Sequence, residues 1–372
     1  MAGRTILLAA GGTGGHLFPA EALAHELAAR GHAVHLATDQ RAERYAGDFP
    51  AERIHIVRAA SPTGSPIAAA GALMALGAGY FEAHGLLGRL RPAAVAGFGG
   101  YPTVPPLLAA VHRRVPTLIH DANAVMGRAN RLLARWVRLV AMGFEATGAR
   151  NAVVTGNPVR PAMLEAAKMP YPRRRGDEPF NLLVFGGSQG ARFFAEAVPP
   201  AVARLSAAMR PLVRVVQQAR PEDAAAVKAA YGGIGVEAEV APFFADMAAR
   251  IAAAHFVISR AGASTVAELS VIGRPAILVP YPHALDHDQV MNARALEQAG
   301  GARIELQPSL TPERLAEMLT TAIGGPAALA LAAEKAKKTG RPDAAARLAD
   351  CVEHVAAGGS ARDFKGSSDE DA

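Results

Sequence analysis

The chain is poor in cysteine, in aromatic residues and in long apolar runs, and each scarcity removes a class of protein. One cysteine, Cys351, stands among 372 residues, which excludes an internal disulfide framework and suits a reducing cytoplasm. Cys351 lies in a late helical segment with no glycine turn beside it, so it is not expected to act as a nucleophile. Aromatics make up 5% of the chain and Trp136 is the only tryptophan. The basic residues therefore lack the interleaved rings on which a nucleic-acid binder would stack bases. No apolar run reaches the roughly 18 residues of a membrane span. The N-terminus, Met1-Ala2-Gly3-Arg4-Thr5-Ile6-Leu7, enters a strand without the small-residue cleavage site of a signal peptide. Charged residues reach only 19% against 51% hydrophobic ones, the composition of a globular chain rather than a disordered one. The net charge of +6 favours an anionic partner: a phosphorylated substrate, anionic lipid or nucleic acid.

What is present is glycine, placed twice in the same way. Thr5–Ala10 runs into Gly11-Gly12-Thr13-Gly14-Gly15-His16, and Phe180–Phe185 runs into Gly186-Gly187-Ser188-Gln189-Gly190. Each is an apolar strand delivered into glycines and followed by an alanine-rich stretch with helical spacing. Glycine lets backbone amides approach a ligand closely, and the helix N-terminus behind it favours negative charge. Two such units predict two similar α/β domains facing each other with an anionic ligand between them. Short buried strands are predicted at 5–10, 34–38, 54–56, 93–97, 117–120, 139–141 and 152–154, then at 182–185, 213–217, 236–238, 256–259 and 276–279. Strands alternating with helices, such as 19–30 and 124–135, predict parallel sheets with crossover helices. Met169-Pro170-Tyr171-Pro172-Arg173-Arg174-Arg175-Gly176-Asp177 reads as a solvated linker. The boundaries expected are 1–158 for the first domain, 159–340 for the second, a helix at about 341–357 packing back on the first, and a disordered tail at 358–372.

Candidate chemistry clusters at strand ends. Gly12-Thr13-Gly14-Gly15-His16 matches a dinucleotide fingerprint only in part, because Leu17 stands where the third glycine belongs. A nicotinamide-dependent oxidoreductase is disfavoured on that ground and by the second glycine turn. His16, at the mouth of the first turn, is placed for general-base work near neutral pH. The same residue could instead hydrogen-bond its own loop, and the residues alone leave both readings open. Gly97-Phe98-Gly99-Gly100-Tyr101-Pro102 and His120-Asp121-Ala122-Asn123 follow the next strands, so they should reach the carboxyl side of the first sheet, where open α/β sheets bind ligands. In Ser259-Arg260-Ala261-Gly262-Ala263-Ser264-Thr265-Val266-Ala267-Glu268, small residues turn the chain into a helix whose free amides suit a pyrophosphate. Glu268, one turn on, can accept from ribose hydroxyls. Asp288, Gln289 and Asn292 would lie near a later helix start and could read sugar hydroxyls.

These segments, with Phe18-Pro19, Thr155-Gly156-Asn157-Pro158-Val159-Arg160, Gly186–Arg192 and Gln289–Ala293, resemble in content and order the MurG family of peptidoglycan glycosyltransferases, from about Thr5 to about Ala356. The resemblance implies a GT-B fold, two Rossmann-like domains with parallel sheets facing a central cleft. It implies an inverting transfer of GlcNAc from UDP-GlcNAc to the C4 hydroxyl of MurNAc in lipid I, giving lipid II. Another GT-B transferase acting on a different lipid or small aglycone is the nearest alternative. His16 would be the base. Glu268 would bind ribose, Ser188 and Arg160 would approach the phosphates, and the Phe244 backbone would meet uracil. Ala263 and Thr265 would sit at the helix start, Gln289 and Asn123 would hold the sugar, and Thr13, Gly14 and Gly15 would also border the donor. The acceptor diphosphate would lie against Gly12, Thr13, Gly14, Gly15 and His16, with Gly99, Gly100 and Tyr101. No obligatory metal or other cofactor is implied. Two residues depart from the family's usual pattern: Asp121 stands for glutamate, and Asp288 for histidine or glutamine.

The lipid-linked acceptor implies a peripheral enzyme on the cytoplasmic face of the cell membrane, without nucleic acid as a partner, and working beside other cell-wall synthesis or division proteins. Arg128, Arg131, Arg135 and Arg138 recur at spacings that put them on one face of a helix, with Arg113 and Arg114 near. The apolar, glycine-rich segment 67–90 could form an interfacial patch beside them.

Overall fold

The computed structural model describes residues 3–11, 14–40, 49–62, 65–145, 151–186, 192–282 and 288–365. The chain divides into two compact units, Met1–Pro161 with Pro342–Ala372, and Ala162–Arg341.

In the first unit, strands β1 (Thr5–Ala9), β2 (Ala33–Thr38), β3 (Arg53–Ile56), β4 (Ala94–Gly97), β5 (Thr117–Asp121), β6 (Leu139–Met142) and β7 (Ala152–Val154) form one sheet. Its order is β3-β2-β1-β4-β5-β6-β7, and every neighbouring pair is parallel. A parallel sheet covered on both faces needs near-continuous apolar strands, and β4 and β6 are buried along their whole length. Successive side chains of β1 serve opposite faces. Ile6 and Leu8 pack with Leu23 and Leu27 of α1 (Gly14–Ala29), and Leu7 and Ala9 pack with Leu107 of α3 (Val104–His112) and with Ala83, Leu86 and Leu87 of α2 (Pro66–Leu90). The order reverses at β1 and β4, and the crevice outside the carboxyl ends of two such strands is where open α/β sheets take ligands.

The last helix, α13 (Ala344–Ala356), completes the first core with Leu348, Cys351, Val352 and Val355. Arg30 holds it by donating to Asp350 Oδ1 at 2.7 Å and to Glu353 Oε2 at 2.8 Å, and His32 Nε2 meets Glu353 Oε1 at 2.8 Å. Burial pushes the Cys351 thiol up to about 12, which keeps it protonated and inert. The expected disordered tail is corrected in part. Residues 358–365 fold back, with Phe364 against the same core, Arg138 donating to the Gly358 carbonyl at 2.7 Å, and the Ser360 amide donating to Asp363 at 2.9 Å. Residues 366–372 lie outside the described residues.

In the second unit, β8 (Phe180–Phe185), β9 (Val213–Gln218), β10 (Glu237–Ala241), β11 (Phe256–Ser259), β12 (Ala276–Leu278) and β13 (Ala302–Ile304) form a parallel sheet ordered β10-β9-β8-β11-β12-β13. The topology repeats that of the first unit, and its reversal falls between β8 and β11.

Three sequence expectations give way. The helix expected over 124–135 is only α4 (Arg128–Leu133), so Arg135 and Arg138 do not share its face, although all four arginines are exposed. Arg174 of the arginine triplet is buried rather than solvated. It stacks on Phe180 and donates to the carbonyls of Ile323, Gly176 and Glu178. The segment 67–90 forms one 25-residue helix, α2, started by Pro66 behind the Ser65 cap and stopped at Arg91 with φ 49°. By length and composition it is long and apolar enough to cross a membrane, with mean hydropathy 1.2 over its best stretch, of which 17% is buried. Its inner stripe nevertheless belongs to the domain core.

Candidate active site

At the carboxyl edge of the first sheet, β1 turns through Gly11 into α1, and His16 sits in the first turn of that helix. A Cβ on Gly11 would lie 2.8 Å from the Pro102 ring. Gly99 and Gly100 follow β4 with φ +88° and +75°, conformations open to glycine and strained for other residues. The same two glycines admit the His16 ring. A Cβ on Gly99 would stand 3.2 Å from its Cε1, and one on Gly100 would stand 3.3 Å from its Cδ2. His16 is half-buried, and burial lowers its imidazole below the ordinary 6.5, opposed by the charge of Asp121 and by a hydrogen bond with the Phe98 backbone. It is therefore neutral near pH 7 with a ring nitrogen able to take a proton.

The end of β5 is tied just as closely. Asp121 Oδ1 accepts from the Asn123 amide at 3.0 Å, and Oδ2 accepts from the Gly127 amide at 2.9 Å and from Asn130 Nδ2 at 3.0 Å. Asn130 Nδ2 also donates to the His120 carbonyl, at 3.0 Å. His120 is buried and pushed down to about 4, first by that burial, and Nε2 of its neutral ring donates to the Gly156 carbonyl at 3.3 Å. Asn157 Nδ2 donates to the Ala122 carbonyl at 2.8 Å. Arg160 stacks its guanidinium 4.0 Å from the Phe18 ring centre. Gly14, Gly15, His16, Gly99, Gly100, Tyr101, Asn123 and Arg160 all belong to this first unit. Gly12 and Thr13 lie outside the described residues.

At the corresponding edge of the second sheet, the Gly186 amide donates to Gln218 Oε1 at 3.2 Å, and Gln218 Nε2 donates to the Pro242 carbonyl at 3.1 Å. Helix α9 (Ala263–Ile272) begins behind Gly262 with no side-chain cap, so its first amides point outward as a ready anion site. Ser264 Oγ is buried there without a hydrogen-bond partner among the described residues. Arg260 braces the preceding turn, with Nη1 donating to the Val279 and Pro280 carbonyls and Nη2 to Gln307 Oε1 at 2.7 Å. Burial lowers its guanidinium from the ordinary value. Ala263, Thr265 and Glu268 lie on α9, and Glu268 is 7% exposed. Gln289, in α10 (Asp288–Gln298), accepts from the Tyr281 amide at 2.9 Å, while Asn292 Nδ2 reaches the Ala261 carbonyl at 3.4 Å. Phe244 is buried beneath the Arg250 guanidinium, 4.1 Å from its ring centre. Ser188 lies outside the described residues.

Residues 6–142 match the N-terminal domain of glycosyltransferase family 28, and residues 181–348 match its C-terminal domain. A relative from Chelativorans sp. (strain BNC1) is 58% identical over 370 residues, 98% of this chain and 99% of its own. One from Sinorhizobium fredii (strain NBRC 101917 / NGR234) is 60% identical over 365 residues, covering 97% and 98%. Both are named UDP-N-acetylglucosamine--N-acetylmuramyl-(pentapeptide) pyrophosphoryl-undecaprenol N-acetylglucosamine transferase. The chain belongs to the MurG family. The crystal structure of Acinetobacter baumannii MurG aligns with a TM-score of 0.76 at 32% identity, over 94% of this chain and 99% of that one. Like it, this MurG-family chain has the GT-B class of fold, two Rossmann-like α/β domains with parallel sheets.

Sequence reasoning missed Asn130 and Gln218 as supports of the MurG-family turns. Gln217-Gln218, a polar pair ending an apolar strand, was the one local signal for the second. Asn130 offered none, because its partners at 120 and 121 lie a whole turn segment away.

Proposed function

We propose that the protein is an inverting N-acetylglucosaminyltransferase that moves GlcNAc from UDP-GlcNAc to the C4 hydroxyl of MurNAc in lipid I, giving lipid II for peptidoglycan. The observation that carries this reading is the 58–60% identity, over nearly the whole chain, to relatives named for that transfer. His16 takes the hydroxyl proton while the hydroxyl oxygen bonds to C1 of the donor sugar. The C1–O bond to UDP breaks with its electron pair on the leaving phosphate, and the single displacement inverts C1. Charge developing on that phosphate meets the uncapped amides of α9 and the dipole behind them. Glu268 accepts from ribose, Gln289 and Asn123 hold the sugar, Ser188 and Arg160 approach the phosphates, and the Phe244 backbone meets uracil. Residues 12–15, with Gly99 and Gly100, receive the acceptor diphosphate. Transfer of radiolabelled GlcNAc to a short-chain lipid I analogue, with EDTA present, is the test. Product is expected, and UDP binding without any transfer would remove lipid I as the acceptor.

The enzyme works as a peripheral protein on the cytoplasmic membrane face, and loss of its product disturbs cell shape and division. Ile67, Met74 and Phe81 are 86%, 73% and 74% exposed on one side of α2, and their spacing of seven keeps them in line. Leu132 and Trp136 are partly exposed beside the arginines that follow Gly127. Apolar side chains flanked by cations are the chemistry of an anionic lipid surface. The double variant Met74→Asp, Phe81→Asp is expected to weaken binding to phosphatidylglycerol vesicles at least about tenfold. Turnover of a water-soluble acceptor should stay intact. Unchanged vesicle binding would move the docking surface elsewhere.

A further inference from the structure

We infer that Phe18 is a positioning residue for the donor's phosphates, its ring holding the Arg160 guanidinium in place without neutralising it. The inference rests on the reading of Arg160 as a group that meets those phosphates. Phe18 stands four residues after Gly14 in α1, and helical side chains lean back over the preceding turn. Its ring accordingly covers Gly14. A Cβ on Gly14 would lie 2.9 Å from both Cε2 and Cζ of Phe18, so a side chain there would drive the ring away. Gly14 is helical and lacks the positive φ of Gly99 and Gly100, so clearance for this ring is the need for glycine that the geometry shows.

Arg160 is delivered by a segment pinned to the first sheet. The Thr155 and Gly156 amides donate to the Met142 carbonyl at 3.0 and 3.2 Å, Asn157 Nδ2 donates to the Ala122 carbonyl at 2.8 Å, and Val159 is buried. The backbone is thereby set, but a long arginine side chain loses much rotamer freedom when it is held in one place. Its guanidinium carbon lies 4.0 Å from the Phe18 ring centre, close contact for a cation on an aromatic face. A carboxylate holding the same group would cancel the charge that a phosphate needs. A π face attracts the cation and leaves its net charge intact. The ring thus ties Arg160 to the first turn of α1, and two sources of positive potential, a guanidinium and a helix N-terminus, keep one arrangement.

The test is a double-mutant cycle in the full-length protein, read as the calorimetric Kd for UDP. Phe18→Leu keeps an apolar side chain and removes the π face. It is expected to raise the Kd about 3- to 30-fold, the span of cation–π contacts from exposed to desolvated. In an Arg160→Ala background the same substitution should change the Kd by less than about twofold. Mono-, di- and trifluorophenylalanine placed at position 18 alone drain the ring face with little change of shape, and the Kd should climb with each fluorine. This series carries the test if Phe18→Leu does not fold. A Phe18→Leu loss that persists without Arg160, or a fluorine series that leaves the Kd unchanged, would overturn the inference and keep Arg160 on the phosphates. An unchanged Kd in Arg160→Ala would instead remove Arg160 from the phosphates, and the inference with it.

Discussion

Replacing His16 with alanine is expected to lower kcat by about 10²–10⁴-fold, the contribution of a positioned general base, while the Kd for UDP-GlcNAc stays unchanged. The two effects separate because His16 belongs to the first unit, packed on Gly99 and Gly100, whereas Glu268 and the α9 amides belong to the second. The sign of the pH dependence follows from the ring's surroundings. Burial holds the imidazole below 6.5, so the base is neutral at pH 7 and activity falls as acid protonates it. That acidic limb should disappear in the variant. Calorimetry with UDP-GlcNAc and a rate profile on the short-chain acceptor check both halves. Wild-type turnover would remove His16 from proton transfer and leave it a loop histidine, the reading that the sequence alone left open.

Most of the fold was legible because parallel strands covered on both faces read as short apolar runs. Ile6–Ala9 and Leu182–Phe185 announce themselves in that way, the first running through Ala10 into Gly11 and the second straight into Gly186. β13 did not, since its Ala302-Arg303-Ile304 lies at the sheet edge with Arg303 exposed. α4 begins later than its periodicity predicts because Asp121 binds the amides of Asn123 and Gly127, holding that stretch in a turn until Arg128. The buried Arg174 was illegible for a similar reason. Its acceptors include the Ile323 carbonyl, far along the chain, and a triplet of arginines after two prolines carries no trace of that partner. At the candidate site, glycines and strand ends were readable, because ligand chemistry at the carboxyl edge of such sheets follows from topology. The supports were not. Asn157 reaches back to Ala122, and Asn130 to His120 and Asp121, contacts that exist only once the sheet has formed.

Glu268→Ala is expected to raise the Kd for UDP-GlcNAc by about 30-fold, or about 2 kcal/mol, the worth of hydrogen bonds to a charged acceptor. Glu268 is 7% exposed in the second turn of α9, beyond the uncapped amides of its first turn. A diphosphate on those amides would bring the adjoining ribose towards the second helical turn, about 7.5 Å along the axis, the rise that separates Ala263 from Glu268. Glu268→Gln keeps one acceptor oxygen but not the charge, so its loss should fall between wild type and alanine. The chemical step does not use this carboxylate, and kcat at saturating donor should change far less than Kd. Calorimetric titration of the three proteins with UDP-GlcNAc, and with UDP alone, makes the comparison. Because UDP carries the same ribose, its Kd should rise by the same factor. A loss confined to UDP-GlcNAc would place Glu268 at the sugar instead, and equal affinities throughout would remove it from the donor site.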